Sequence, residues 1–180
     1  MKPVQFDPFS SRLARDIRNN LSKSFIRALA EKDASIFQQS ASAFRKQHLD
    51  PVYDRYIAAR LEKYEKAYGL IDNNKQGDAL QQAATLWDLE LYFEMHEILE
   101  PEWQQAEGER RRALQGLIRA AGMKILIANN RGKGAARMGV KALADLQRYG
   151  KELNGFSNRE AVLTEIRQTL GVSKTGGSVD

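Results

Sequence analysis

The segment FEMHEILEPEW, residues 93–103, concentrates the side chains of this chain that could do chemistry. It places His96, Glu97 and Glu100 close together, with Trp103 about one turn further on. A histidine and a glutamate four residues apart share one face of a helix, because a helical turn takes 3.6 residues. Such a pair could ligate a metal, exchange protons with a bound molecule, or join helices through a structural hydrogen-bond network.

The spacing departs from the zinc-protease pattern HExxH, because Glu100 stands where that pattern has its second histidine. The only other histidine is His48, and the chain has no cysteine. A stable metal site needs three or four protein ligands, and the sequence identifies only His96 and Glu100. We therefore predict no tightly bound metal and no cofactor. A structural network and a ligand or acid–base pocket remain open as interpretations of the cluster.

The apolar pattern around this segment predicts one long helix that begins after Asp78 and runs to Glu100, where Pro101 kinks or restarts it. On the helical wheel, His96 and Glu100 lie on one of two apolar sides. A helix that is apolar on two sides is buried on two sides. We therefore predict that His96 and Glu100 are buried partners, and that Glu97 lies at the rim.

The next predicted helix, about residues 110–128, offers Gln115 at the flank of its apolar face. Small residues beside it would let another helix approach closely, and a short turn makes the preceding helix the expected antiparallel neighbour. Gln115 would then reach His96 and Glu100. The alternative is that Gln115 is an ordinary solvent-exposed helix residue.

Helical periodicity runs through the whole chain, without strand-like alternation. We predict an all-α protein, with an antiparallel bundle of about four helices over residues 77–170 and an N-terminal extension of about three helices over residues 1–70. Residues 171–180 form a predicted disordered tail. The absence of cysteine and of an apolar run near ~20 residues predicts a soluble, cytoplasmic protein without a membrane span.

Positive charge is unevenly distributed along the chain. Residues 1–70 hold 13 Lys+Arg against 8 Asp+Glu, whereas residues 71–180 hold 15 of each. In the first predicted helix, basic side chains lie opposite an apolar stripe formed by Leu13, Ile17, Leu21 and Phe25. A basic face of this kind suits weak nucleic-acid binding, and its candidates are Arg12, Arg15, Lys23 and Arg27. The alternative is an amphipathic helix docked on the main domain with a solvated outer face.

Three pieces of the sequence, LYFEMHEILEPEW, ALQGLIRAA and NNRGKGAARMGVKALADL, resemble in this order a bacterial and archaeal helical family called domain of unknown function 309. The resemblance covers about residues 77–170 and implies an antiparallel helical domain, but supplies no activity. The positions that match the family's pattern are His96, Glu97, Glu100, Trp103, Gln115, Gly116, Asn130, Gly134 and Ala135.

From these observations we predict a non-enzymatic helical module that binds a protein or small-molecule partner. Its binding groove would contain or overlie the cluster of His96, Glu97, Glu100, Trp103 and Gln115. One alternative is a metal-dependent or acid–base enzyme that uses the same cluster. The other is a nucleic-acid-associated protein that acts through its N-terminal basic helix.

Overall fold

The computed structural model describes residues 5–172, and every regular element in this range is a helix. The all-α prediction is confirmed. The chain forms two compact units that divide between Gln76 and Gly77. Residues 173–180, most of the predicted disordered tail, lie outside the described range. The α-helices are α1 (Arg12–Glu31), α2 (Ser35–Arg45), α3 (Pro51–Asn73), α4 (Ala79–Asp88), α5 (Tyr92–Gln105), α6 (Gly108–Ala128), α7 (Gly132–Tyr149) and α8 (Arg159–Leu170).

The first unit packs α1, α2 and α3 around an aromatic core. The rings of Phe25 and Tyr64 stack with centroids 4.4 Å apart, and Phe37 meets Tyr64 edge-on at 5.8 Å. Local signals fix the helix starts. Ser11 caps α1 by accepting the amide of Ala14 at 3.2 Å, because the first amides of a helix have no partner within the helix.

The apolar stripe predicted on α1 is right in part. Ile17, Leu21 and Phe25 are buried, but Leu13 is 36% exposed and Ala14 is fully buried in its place. Ala14 lies three residues before Ile17, and i, i+3 neighbours share a face as well as i, i+4 neighbours do. The buried stripe therefore begins at Ala14.

The second unit contains α4 to α8, with a short 3-10 helix, Gly150–Glu152, after α7. Each α-helix packs against the next one along the chain, and the most extensive packing joins α6 to α7. A Cβ at Gly116 would lie 2.9 Å from Cγ of Leu146, and one at Gly139 would lie 2.8 Å from Sδ of Met123. The small residues of α6 thus admit α7, which corrects the prediction that the preceding helix would approach there.

The predicted long helix from Asp78 to Glu100 is wrong, because the chain forms two helices here. Asp78 caps α4 as expected, but α4 ends at Asp88, and Glu90 adopts a left-handed conformation with φ 56°. Leu86 and Leu91 on either side of the turn are both fully buried. Five residues of continuous helix would point them about 140° apart, so the turn lets both enter the core.

Of the two predicted effects of Pro101, a kink or a restart, the restart does not occur. α5 runs without interruption from Tyr92 to Gln105, with Pro101 inside it. A proline inside a helix removes one backbone hydrogen bond, to the carbonyl of the residue four positions earlier. Pro101 is exposed, so water can reach the helix surface at this position.

Within residues 5–172, no helix is both long enough and apolar enough to cross a membrane.

Candidate functional site

Helix α5 positions the motif residues beside its buried face. Glu94, Met95 and Leu99 are the fully buried residues of this helix. His96 and Glu97 are partly exposed, with side-chain exposures of 33% and 27%, and Glu100 is also only partly buried. Because α5 begins anew at Tyr92, its faces do not continue those of α4. The prediction that His96 and Glu100 lie buried is therefore wrong, whereas Glu97 is partly exposed, as predicted for a position at the rim.

Three side chains of α5 nevertheless converge. One ligand atom from each of His96, Glu97 and Glu100 lies within 4.8 Å of the other two. Nδ1 of His96 lies 3.5 Å from Oε1 of Glu97. The imidazole plane lies nearly parallel to the ring of Phe93, at 7°. The group therefore combines one imidazole and two carboxylates at the border between core and solvent.

The Nδ1 atom of His96 is shielded from water and has no hydrogen-bond partner among the described residues. The predicted hydrogen bond between His96 and Glu100 is therefore not made through this atom. An unpaired polar atom in a shielded position costs about 1–3 kcal/mol. A ligand that bonded this nitrogen would remove that cost.

Trp103 lies near the carboxyl end of α5, and an arginine of the next helix stacks on its ring. The guanidinium carbon of Arg111 lies 4.2 Å from the centre of the indole. Arg111 also donates hydrogen bonds to the backbone oxygens of Gln104 and Ala106, at 3.3 and 3.2 Å. This stack ties the end of α5 to the start of α6. In the described part of the chain, the indole N–H of Trp103 makes no hydrogen bond to Glu100.

Gln115 is half-buried on α6. Within the described range it makes no hydrogen bond to His96 or Glu100, so the link predicted between the two helices is not formed. Its neighbour Gly116 is buried against α7. The contact with α7 thus sets the rotation of α6, and the sequence offered no signal for it beyond the small residues themselves.

Sequence reasoning missed Glu94, which is 0% exposed. On a wheel of one continuous helix, Glu94 lies in a narrow strip with Glu90 and Glu97, between the two apolar sides. The break before Tyr92 turns it into the core instead. Fully buried acidic residues are rare in proteins, so Glu94 is a notable feature of the α5 interior.

A second acidic group missed by sequence reasoning is Asp145, which is 2% exposed on α7. Arg112 donates to its Oδ1 at 2.7 Å, and Arg119 bonds its Oδ2. Two arginines seven residues apart share one face of α6, and this spacing could have indicated a shared acidic partner. The three side chains join α6 to α7 through an ion-pair group centred on the buried carboxylate of Asp145.

Trp87 and Glu165 anchor a third polar group in the second unit. The indole of Trp87 donates to Glu165 at 3.0 Å, and Lys124 donates to the same carboxylate at 2.7 Å. Burial opposes the charge of Lys124, but hydrogen bonding and attraction to Glu165 and Tyr92 outweigh it and raise the lysine's pKa. Burial also raises the pKa of the Tyr92 phenol.

The nucleic-acid candidates on α1 are all exposed. Arg12 lies 3.8 Å from Asp16, and Arg27 forms an ion pair with Glu31 at 2.7 Å. Arg15 donates to the backbone oxygen of Pro8 at 3.1 Å. Within the described residues, three of the four predicted cations make such a contact, namely Arg12, Arg15 and Arg27, and Lys23 makes none.

Comparison with known proteins gives one match. Residues 80–138 match the family described as Domain of unknown function (DUF309), which confirms the resemblance stated from the sequence. The matched range contains α5, α6 and the convergent side chains of α5. The comparisons with curated proteins and with solved structures gave no match.

Proposed function

We propose that the domain whose residues 80–138 match the family described as Domain of unknown function (DUF309) is a small-ligand-binding module, and that its ligand is a divalent metal cation. His96, Glu97 and Glu100 supply the protein ligands. The observation that carries the proposal is their convergence, with ligand atoms within 4.8 Å of one another. The sequence identified only two ligands, and the structure adds Glu97 as the third candidate.

The chemistry of the group suits a zinc-like cation. Zinc takes imidazole nitrogen at about 2.0–2.1 Å and carboxylate oxygen at about 2.0–2.2 Å, in tetrahedral geometry. Two ligands of one tetrahedral ion therefore lie about 3.4 Å apart. The 3.5 Å between Nδ1 of His96 and Oε1 of Glu97 supports such a bridge.

The unpartnered nitrogen of His96 supports the same proposal. Nδ1 is shielded from water and accepts no hydrogen bond within the described residues. A metal between this nitrogen and the two carboxylates would satisfy it and would offset the repulsion between Glu97 and Glu100. Three protein ligands would leave one position for water or for an acidic group of a partner.

We propose binding rather than catalysis because the cluster is open to solvent. His96 and Glu97 keep about a third and a quarter of their side-chain surface exposed. Electrostatic catalysis gains most where water is excluded, and an exposed cluster on one helix does not provide that. We expect the metal to exchange with solvent rather than stay bound through purification, in line with the prediction of no tightly held metal.

Zinc titration by isothermal calorimetry tests the proposal, with the full chain and with His96→Ala, Glu97→Gln and Glu100→Gln variants. We expect about one zinc per wild-type chain, and a loss of affinity of at least about 10-fold in each variant. The matched controls are His48→Ala, which removes the other histidine, and Glu160→Gln, which removes an exposed carboxylate of α8. Both controls should bind zinc as the wild type does.

A parallel titration with putrescine distinguishes a metal from an organic cation. Carboxylates attract both, but zinc forms a coordinate bond to a neutral imidazole nitrogen, whereas an ammonium only donates a hydrogen bond to it. Putrescine binding with the same dependence on Glu97 and Glu100, without zinc binding, would reject the metal. Zinc binding that is lost in His48→Ala rather than in His96→Ala would reject this site.

A further inference from the structure

The outer face of α7 carries four exposed basic residues, and we propose that it binds the phosphate backbone of double-stranded nucleic acid. We call it the α7 basic face and define it by Lys133, Arg137, Lys141 and Arg148. All four side chains are exposed. Steps of four, four and seven residues keep them on one side of the helix.

No exposed acidic residue interrupts this face. The single acidic residue of α7 is Asp145, which is buried and paired with Arg112 and Arg119. Lys133, Arg137 and Lys141 make no ion pair with any other described residue. By contrast, Arg12 and Arg27 on α1 each lie beside a carboxylate of their own helix. Unpaired cations in a row leave their charge available to an external polyanion.

The carboxyl end of the face continues into a cationic aromatic cluster. The guanidinium carbons of Arg148 and Arg112 lie 5.2 and 5.8 Å from the ring centre of Tyr149. The side chain of Arg112 is 57% exposed even though it pairs with Asp145. Arg112 therefore adds a partly neutralised cation beside Arg148.

The balanced charge of residues 71–180 conceals this face. Helix α5 has four glutamates and no lysine or arginine, whereas α7 has four basic residues and one buried aspartate. The opposite charges are thus segregated onto different helices. A field of this kind orients an approaching polyanion towards α7 and away from α5.

The side chains between the cations favour nucleic acid over a membrane. The exposed residues among them are Ala136, Ala144, Gln147 and one apolar β-branched residue, Val140, which is 58% exposed. A helix that lies in a membrane interface needs large apolar residues such as Trp, Phe or Leu on the inserted face. The α7 basic face has none, so a lipid surface could hold it by charge alone.

The same composition favours a duplex over a single strand. Single-strand binders combine cations with aromatic rings on which bases stack. The nearest ring is Tyr149, which is half-buried and flanked by two guanidiniums. Lys133 and Arg148 are fifteen residues apart, or about 22 Å along the helix. That length covers about six base-pair steps of a duplex, and backbone contacts of this kind carry no sequence preference.

Fluorescence anisotropy with a labelled, mixed-sequence DNA duplex tests the proposal across a salt series. Four phosphate contacts predict a slope of log K against log salt of about −3.6 for a duplex. Wild-type affinity should therefore fall about 10²-fold between about 50 and 200 mM salt. The measurement is made with and without chelator, so its outcome does not depend on the metal proposed for α5.

Two fourfold variants with equal charge changes locate the surface. Lys133→Gln, Arg137→Gln, Lys141→Gln and Arg148→Gln together should bring the salt slope close to zero. The matched control changes Arg12, Arg15, Lys23 and Arg27 to Gln and should keep the wild-type slope. A threefold α7 variant that retains Arg148 should reduce the slope to about −0.9, and it disturbs none of the contacts made with Tyr149.

Three results would each overturn the proposal. The first is wild-type duplex binding that survives the α7 changes, and the second is loss of binding in the α1 variant instead. The third is wild-type binding to phosphatidylserine vesicles without binding to the duplex at about 50 mM salt, which would assign the face to a membrane surface.

Discussion

The acidic residues of α5 differ in how deeply they are buried. This difference separates a residue of the protein interior from residues that a ligand can reach. Glu94 has no exposed surface, whereas Glu97 and Glu100 are partly open to water. The sequence could locate the motif, but not this division, because it depends on where α5 begins. Glu97 and Glu100 are therefore accessible to a ligand, whereas Glu94 belongs to the protein interior.

This division predicts opposite outcomes for two similar substitutions. Glu94→Ala should lower the free energy of unfolding by at least about 2 kcal/mol, because it strands the interaction partner of a buried carboxylate and opens a cavity in a packed interior. Glu100→Ala should lower it by about 1 kcal/mol or less, as for a partly exposed position. Urea unfolding monitored by circular dichroism measures both. A larger loss for Glu100→Ala would restore the buried pair that the sequence predicted.

The polar group of Tyr92, Lys124 and Glu165 predicts a loss of stability in alkali. The pKa of Tyr92 is raised above 10.0 by burial, and that of Lys124 is raised above 10.5 through Glu165 and Tyr92. Folding therefore favours the protonated form of both groups. Their contribution is complete below these ordinary values and is lost as the pH rises through the folded-state values.

Urea midpoints measured from pH about 8 to 12 check this prediction. Wild type should lose stability more steeply above pH about 10 than Tyr92→Phe, which has no phenol to ionise. Tyr149→Phe removes a different phenol of the same unit and serves as the matched control. Equal alkaline slopes for wild type and Tyr92→Phe would contradict the role of Tyr92.

At the scale of elements, the break between α4 and α5 can be tested with two substitutions at Glu90. The broken helix and one continuous helix predict opposite orders of stability for the two variants. Glu90 lies in the left-handed region, with φ 56°, where glycine is favoured over alanine by about 1 kcal/mol. In a continuous helix, alanine would be favoured over glycine by a similar amount. Both substitutions remove the same side chain beyond Cβ, so their difference reports on the backbone.

Glu90→Gly should therefore be more stable than Glu90→Ala by about 1 kcal/mol in urea unfolding. The reverse order would indicate one helix through residues 79–105. Thermal melts of the two variants in the same buffer provide an independent check on the order.

The elements that the sequence identified carry local signals. Ser11 and Asp78 cap helices with their side chains, and Asp50 with Pro51 starts α3, as the residue types predict. The break at Glu90 contains neither glycine nor proline, so its cause is the burial of Leu86 and Leu91. Pro101 does not end the helix, and it lies at an exposed position of α5. Helix caps could be predicted from the sequence, whereas the packing between helices could not.

At the scale of the whole molecule, the two compact units predict separable folding. The helices of the second unit bury an extended apolar core of their own. A fragment of residues 77–180 should therefore unfold in one cooperative thermal transition. A fragment that binds hydrophobic dyes and melts without cooperativity would be a molten state, and would show that the N-terminal unit completes its core.

The net charges of residues 1–70 and 71–180 drew attention to one basic surface and concealed another. The excess over residues 1–70 drew attention to α1, where most of the candidate cations are engaged. The balanced sum over residues 71–180 hid α7, because α5 supplies the opposing charge. Charge counted by helix, rather than by segment, would have identified Lys133, Arg137, Lys141 and Arg148.

The most direct test of the proposed metal site is X-ray diffraction at the zinc absorption edge, from crystals of the full chain grown with zinc. We predict an anomalous peak within about 2.0–2.2 Å of a nitrogen of His96 and of carboxylate oxygens of Glu97 and Glu100. Occupancy should vanish in crystals of His96→Ala. Full occupancy elsewhere, such as at His48, with no peak beside His96, would contradict the account.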